Sequence, residues 1–100
     1  MFRIYKTEFF QKRPQWIIPL LLEISPKNFV QPTFALAVKQ LDEIAGIIRG
    51  SNVFSRKKKR YRMERGEDYV SIVSENGSPY LSYRIESFKN LKDQQDVAHG

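Results

Sequence analysis

Cysteine is absent from this chain, which excludes disulfides, thiolate nucleophiles and cysteine-based zinc sites. Nothing in that usage points to an oxidising compartment, so an intracellular, cytoplasmic setting is expected. Histidine occurs once, as His99. A catalytic base needs a held position, and a polar chain end is a poor place to hold one. No zinc or calcium ligand spacing occurs, and no glycine-rich phosphate loop or nucleophile elbow. No cofactor and no metal are therefore expected. Long apolar runs are missing too. The longest, Trp16 to Leu22, falls far short of the roughly 20 residues that span a bilayer, so no transmembrane segment is expected. It follows Lys12-Arg13, but Ile24-Ser25-Pro26-Lys27 is a poor cleavage site, so buried core is the simpler reading.

Charge of one sign is present, and it is concentrated. The chain of 100 residues carries a formal net charge of +6. The ten residues from Arg56 to Arg65 hold seven basic side chains and one acid, which is the same +6. Elsewhere bases and acids cancel. A compact positive segment on a neutral body attracts polyanions, of which nucleic acid is the commonest. The run also has the composition of a nuclear-import signal.

The length fits one domain. Residues 2–10 pattern as a strand, with Phe2, Ile4, Tyr5, Phe9 and Phe10 interleaved imperfectly with Arg3, Lys6 and Glu8. Residues 15–24 are ambiguous. Pro19 opposes both a central strand and the interior of a helix, which leaves an edge strand or a short helix broken or restarted at the proline. The balance favours a helix-like or irregular buried segment. Ser25 to Pro32 reads as a connector.

The clearest element follows. Phe34, Ala37, Val38, Leu41, Ile44, Ala45 and Ile48 make one apolar stripe, so a helix is expected at about 33–49. Pro32 or Thr33 starts it, and Gly50 is expected to stop it in a left-handed conformation. Lys39, Gln40, Asp42 and Glu43 lie off the stripe, and Gly46 is a candidate for close contact with a sheet. Ser51 to Ser55 reads as a link.

Beyond it the period changes from 3.6 to 2, and a meander is expected over 58–87. Asn76-Gly77 predicts a two-residue hairpin that pairs Val73 with Tyr80, Ile72 with Leu81 and Val70 with Tyr83. A turn near Gly66-Glu67 would set Tyr61 against Ile72, although Arg65-Gly66-Glu67-Asp68 also permits a four-residue turn. One sheet face would hold Tyr61, Met63, Val70, Ile72, Leu81, Tyr83 and Ile85, packed on the helix. The other would hold Arg60, Arg62, Glu64, Tyr69, Ser71, Tyr80, Ser82 and Arg84, with Val73 among them. The fold class is thus α+β, a small antiparallel sheet, joined by an N-terminal strand, on one main helix. Residues 1–91 are expected to form the domain, and 92–100 a mobile tail.

Three functions follow from this layout. The first is non-catalytic binding of RNA or single-stranded DNA. Arg56, Lys57, Lys58, Lys59, Arg60, Arg62, Arg65 and Arg84 would meet phosphates, and Tyr69 and Tyr80 would stack on unpaired bases. The second is a small interaction or inhibitor protein, such as a viral accessory or assembly factor. It would use surplus apolar residues such as Phe9, Phe10, Phe29 and Phe54 to form a homodimer, or the basic run to grip an acidic protein. The third is a metal-free ribonuclease built from Tyr61, Arg62, Arg65, Tyr69, Tyr80 and Arg84. The absence of an evident acid–base pair favours binding over catalysis.

Overall fold

A computed structural model describes residues 1–24, 29–57 and 60–88. Strand β1 (Phe2–Glu8) leads through a 3-10 turn (Gln15–Ile17) into helix α1 (Ile18–Glu23). A two-residue strand, β2 (Val30–Gln31), precedes the main helix, α2 (Phe34–Gly50), and a short helix, α3 (Asn52–Lys57). Strands β3 (Tyr61–Arg65), β4 (Tyr69–Ser74) and β5 (Pro79–Ser87) follow. All five strands join one antiparallel sheet in the order β2-β1-β5-β4-β3, with the helices on one face. The α+β class expected from the sequence is the class observed.

Placing β1 beside β5 completes the sheet. Phe2 and Ile4 then join Ile85, Tyr83, Leu81, Val70 and Ile72 on the inner face. The stripe of α2 covers them, and Leu41 and Ile72 are fully buried. Thr33 caps α2 as expected, its hydroxyl accepting the Leu36 N–H at 3.2 Å. The other end differs from expectation. Gly50 stays helical, and among the described residues the one positive φ lies at Gly77. Ser51 ends α2 in an extended conformation and starts α3, where its Oγ accepts the Phe54 N–H. The expected link is therefore a helical turn that buries Phe54 in the core.

Two helix positions also depart from expectation. Gly46 is exposed with open space where a side chain would stand, so it makes no close approach. Gln40 is buried, and its Oε1 accepts a hydrogen bond from Gln31 Nε2 at 3.1 Å, tying α2 to β2. In the ambiguous segment the helical reading holds. Pro19 sits in the first turn of α1, where its missing N–H leaves no intrahelical bond unmade.

The hairpin between β4 and β5 carries an instructive deviation. Its loop has three residues, Glu75 to Gly77, closed by Ser74 N–H to Ser78 O at 2.9 Å. Gly77 takes φ +87°, the left-handed residue that a three-residue loop needs. Val73 consequently faces Pro79. A bulge then restores the expected register, so Ile72 faces Leu81 and Val70 faces Tyr83. The residue absorbed by the bulge is Tyr80. The β3–β4 turn is also moved by one residue, to Glu67-Asp68, and Tyr61 faces Ser74 instead of Ile72. A shift of two in the partner preserves which face each side chain occupies. The expected tail, 92–100, lies outside the described residues.

Candidate nucleic-acid interface

The sheet's outer face has no described helix on it. Its side chains follow from the register. Tyr5 faces Arg84 across β1–β5, and Arg84 faces Tyr69 across β5–β4. One cross-strand row therefore reads Tyr5, Arg84, Tyr69. The Arg84 guanidinium lies 5.5 Å from the centre of the Tyr69 ring, and Arg3 lies 5.6 Å from that of Tyr5. Such cation–ring contacts hold the guanidinium planes near the rings while their N–H groups stay available.

The next row is small: Thr7, Ser82 and Ser71, with the two serine hydroxyls hydrogen-bonded at 3.0 Å. It makes a low floor beside the taller Tyr5–Arg84–Tyr69 row. Arg62 and Glu64 flank the floor on β3 and pair at 3.3 Å while exposed. Val73 belongs to this face and not to the main core. Tyr69 owes its position partly to Gly66, which stands opposite across the turn. A Cβ there would lie 2.1 Å from Tyr69 Cε1, so only glycine leaves room for the ring.

The residues expected to form one site take separate places. Arg84, Tyr69 and Arg62 share the outer face. Arg60 is exposed just before β3, and Arg56 is exposed on α3 with its Nε donating to Asn52 O at 3.4 Å. Lys57 ends α3, and its side chain lies outside what is described. Lys58 and Lys59 lie outside the described residues as well.

Arg65 points the other way. It lies among the helix-side residues of β3, where its Nη2 pairs with Asp42 of α2 at 3.0 Å and its Nη1 donates to Tyr69 O at 3.1 Å. This arginine fastens the β3–β4 turn to the helix.

Tyr80 also moves to the inner side. In a bulge the extra residue and its neighbour break the strict alternation, so Tyr80 no longer projects opposite to buried Leu81. Its ring stacks on Trp16 with centroids 5.7 Å apart and planes at 8°, and it touches Phe10 and Tyr61 at 4.8 Å each. Burial first, and the Tyr61 phenol second, push the Tyr80 hydroxyl up to about 12. Its oxygen is enclosed and has no hydrogen-bond partner among the described residues.

Arg3 and Tyr5 are additions that sequence reasoning missed. The Arg3-Tyr5-Thr7 alternation is visible in the sequence, but the pairing of β1 with β5 that sets it beside Arg84 is not. The described outer face carries three arginines and two glutamates, Glu64 and Glu86. It is therefore only weakly positive, and the long-range field comes from the basic run that leads into β3. Among the described residues no acidic, histidine or cysteine group of three is placed to hold a metal, and no helix is long and apolar enough to cross a membrane. No family model matches this chain, and neither a curated protein nor a solved structure matches it significantly.

Proposed function

We propose that the chain binds single-stranded nucleic acid, RNA or DNA, on the outer face of its sheet. The observation that carries this reading is Arg84 set between Tyr5 and Tyr69 on a face with no described element over it. Rings accept unpaired bases, and the guanidinium beside them meets a phosphate. The serine–threonine floor leaves depth for a base lying on Tyr69. The basic residues 56–60, which lead into β3, would add phosphate contacts with little sequence selectivity. A flat, twisted β-surface suits a splayed single strand better than a duplex groove.

The test is a salt-titrated binding assay with random single-stranded RNA and DNA. Lys57, Lys58 and Lys59 changed together to glutamine should flatten the log–log salt slope by about 0.7 for each phosphate no longer neutralised. Tyr69→Ala should cost roughly 1–3 kcal/mol of binding with the slope nearly unchanged. Arg65→Met should cost much less than Tyr69→Ala, because Arg65 faces the helix and adds only its charge to the long-range field. Absence of binding to either polymer at low salt refutes the proposal. A protein-interaction role then gains, supported by Ile18 and Leu22, which are 42% and 72% exposed one turn apart on α1 beside Lys6 and Arg13.

A further inference from the structure

The two edges of the sheet differ. One is β2, only two residues long and so of little use as a pairing template. The other is β3, five residues in regular register with no proline and no bulge. No described strand pairs with its outer side. Natural edges are often blunted by charged side chains, proline or a bulge. The β3 sequence Tyr61-Arg62-Met63-Glu64-Arg65 is charged, but Arg62 and Glu64 are opposite in sign and stand symmetrically about Met63, so a second copy run antiparallel would complement them.

The phase of the ladder says which groups are unpaired. The Gly66 N–H donates to Tyr69 O at 3.0 Å, and Gly66 stands opposite Tyr69. Alternation along an antiparallel pair then turns the backbone groups of Arg62 and Glu64 toward β4. Those of Tyr61, Met63 and Arg65 turn toward the open edge. We propose that this edge pairs with β3 of a second copy, antiparallel and centred on Met63. Met63 would oppose Met63, and Tyr61 would oppose Arg65, each exchanging both backbone hydrogen bonds. Arg62 would oppose Glu64 in the closer, non-hydrogen-bonded sites, twice by symmetry.

The present Arg62–Glu64 contact within one strand is exposed, 55% and 41%, and contributes little that would resist the exchange. Alternatives fit less well. A parallel copy or a register shifted by two would set Arg against Arg or leave a charge unmatched. The dimer is a continuous ten-stranded sheet with both outer faces on the same side. It rests on the edge geometry alone and is independent of nucleic-acid binding.

The experiment is sedimentation equilibrium over a wide concentration range, with circular dichroism to confirm folding. The wild-type protein should approach twice its 11.8 kDa chain mass. Arg62→Glu and Glu64→Arg should each raise the dissociation constant about tenfold or more, because two cross-strand pairs turn repulsive at once. An equimolar mixture of the two variants should recover dimer, since the acidic edge of one then meets the basic edge of the other.

A second measurement uses the absence of cysteine. Mixed R62C and E64C chains should crosslink on oxidation, because facing positions fall within the roughly 4.4–6.8 Å Cα separation of a disulfide. R62C alone should not. A wild-type protein that stays monomeric, a dimer indifferent to both charge changes, or preferential R62C self-crosslinking would each overturn the proposal.

Discussion

Changing Tyr80 to phenylalanine removes one oxygen from the most aromatic part of the molecule, and the sign of its effect is diagnostic. The ring contacts with Trp16, Phe10 and Tyr61 are kept. What disappears is a hydroxyl that is enclosed and has no partner among the described residues. Burying a hydroxyl without a hydrogen bond costs about 1–3 kcal/mol in proteins. The space vacated by one oxygen, on the order of 15 Å³, costs about 0.4 kcal/mol at ~24 cal/mol per Å³. The first effect wins, so Tyr80→Phe should stabilise the fold by about 1 kcal/mol. Urea denaturation monitored by circular dichroism measures it, with an unchanged m-value showing that the same surface is exposed.

The alkaline limb gives the same side chain a second readout. The folded-state pKa is raised to about 12 from an ordinary 10.0. The folded state thus holds its proton more tightly than the unfolded chain does. The associated stability is fully present below pH 10 and is lost as pH rises toward 12. Tyr80→Phe should therefore flatten the decline of stability in that window. Tyr83, also raised by burial, will keep part of the decline in place. Destabilisation by Tyr80→Phe at neutral pH, or an unchanged alkaline slope, would refute the buried, unpartnered placement and return the ring to the outer face.

Leu41→Ala should cost on the order of 2–5 kcal/mol in the same urea assay, because its side chain is fully buried between α2 and the sheet. Gly66→Ala should cost about 1–3 kcal/mol by overpacking. It should also weaken single-strand binding, because the Tyr69 ring must leave its place over the glycine; unchanged stability would show that the turn yields without strain.

Much of the architecture was legible because burial leaves a period. The α2 stripe and the inner face of β3, β4 and β5 follow from spacing, and Thr33 was one of the two residues, with Pro32, that residue type offered at the helix start. The β4–β5 register was legible from Ile72 onward, yet not at the loop. Asn76-Gly77 suits a two-residue turn, and the same glycine serves equally as the left-handed residue of a three-residue loop. Only the energy of the whole hairpin chooses between them. The single extra loop residue is cancelled by the single bulge residue, so the interior of the sheet carries no trace of it. Pro79 and Tyr80 record the difference: Pro79 takes the place opposite Val73, and Tyr80 changes sides. Alternation fails as a guide at bulges for this reason, since a bulge is where alternation stops. The pairing of β1 with β5 was hidden for another reason. It joins the first strand to the last, and no local pattern encodes a contact between chain segments so far apart.

The basic run shows how far charge composition carries and where it ends. Seven cations in ten residues read as one surface in sequence. The strand separates them by parity and by element. Arg62 goes to the outer face and Arg65 to the helix, although three positions apart they look equivalent in composition. Arg56 belongs to α3, on a different element altogether. All seven still add to the long-range field, which salt attenuates over a Debye length of about 8 Å. Contact at short range depends on which face a side chain takes. A cation engaged with Asp42 and a backbone carbonyl has turned both its terminal nitrogens to the fold. Net charge therefore argues for the class of partner, and strand parity argues for which residues touch it. Arg84, outside the basic run entirely, would be the central contact of the proposed interface, because the register of three strands sets it between two rings.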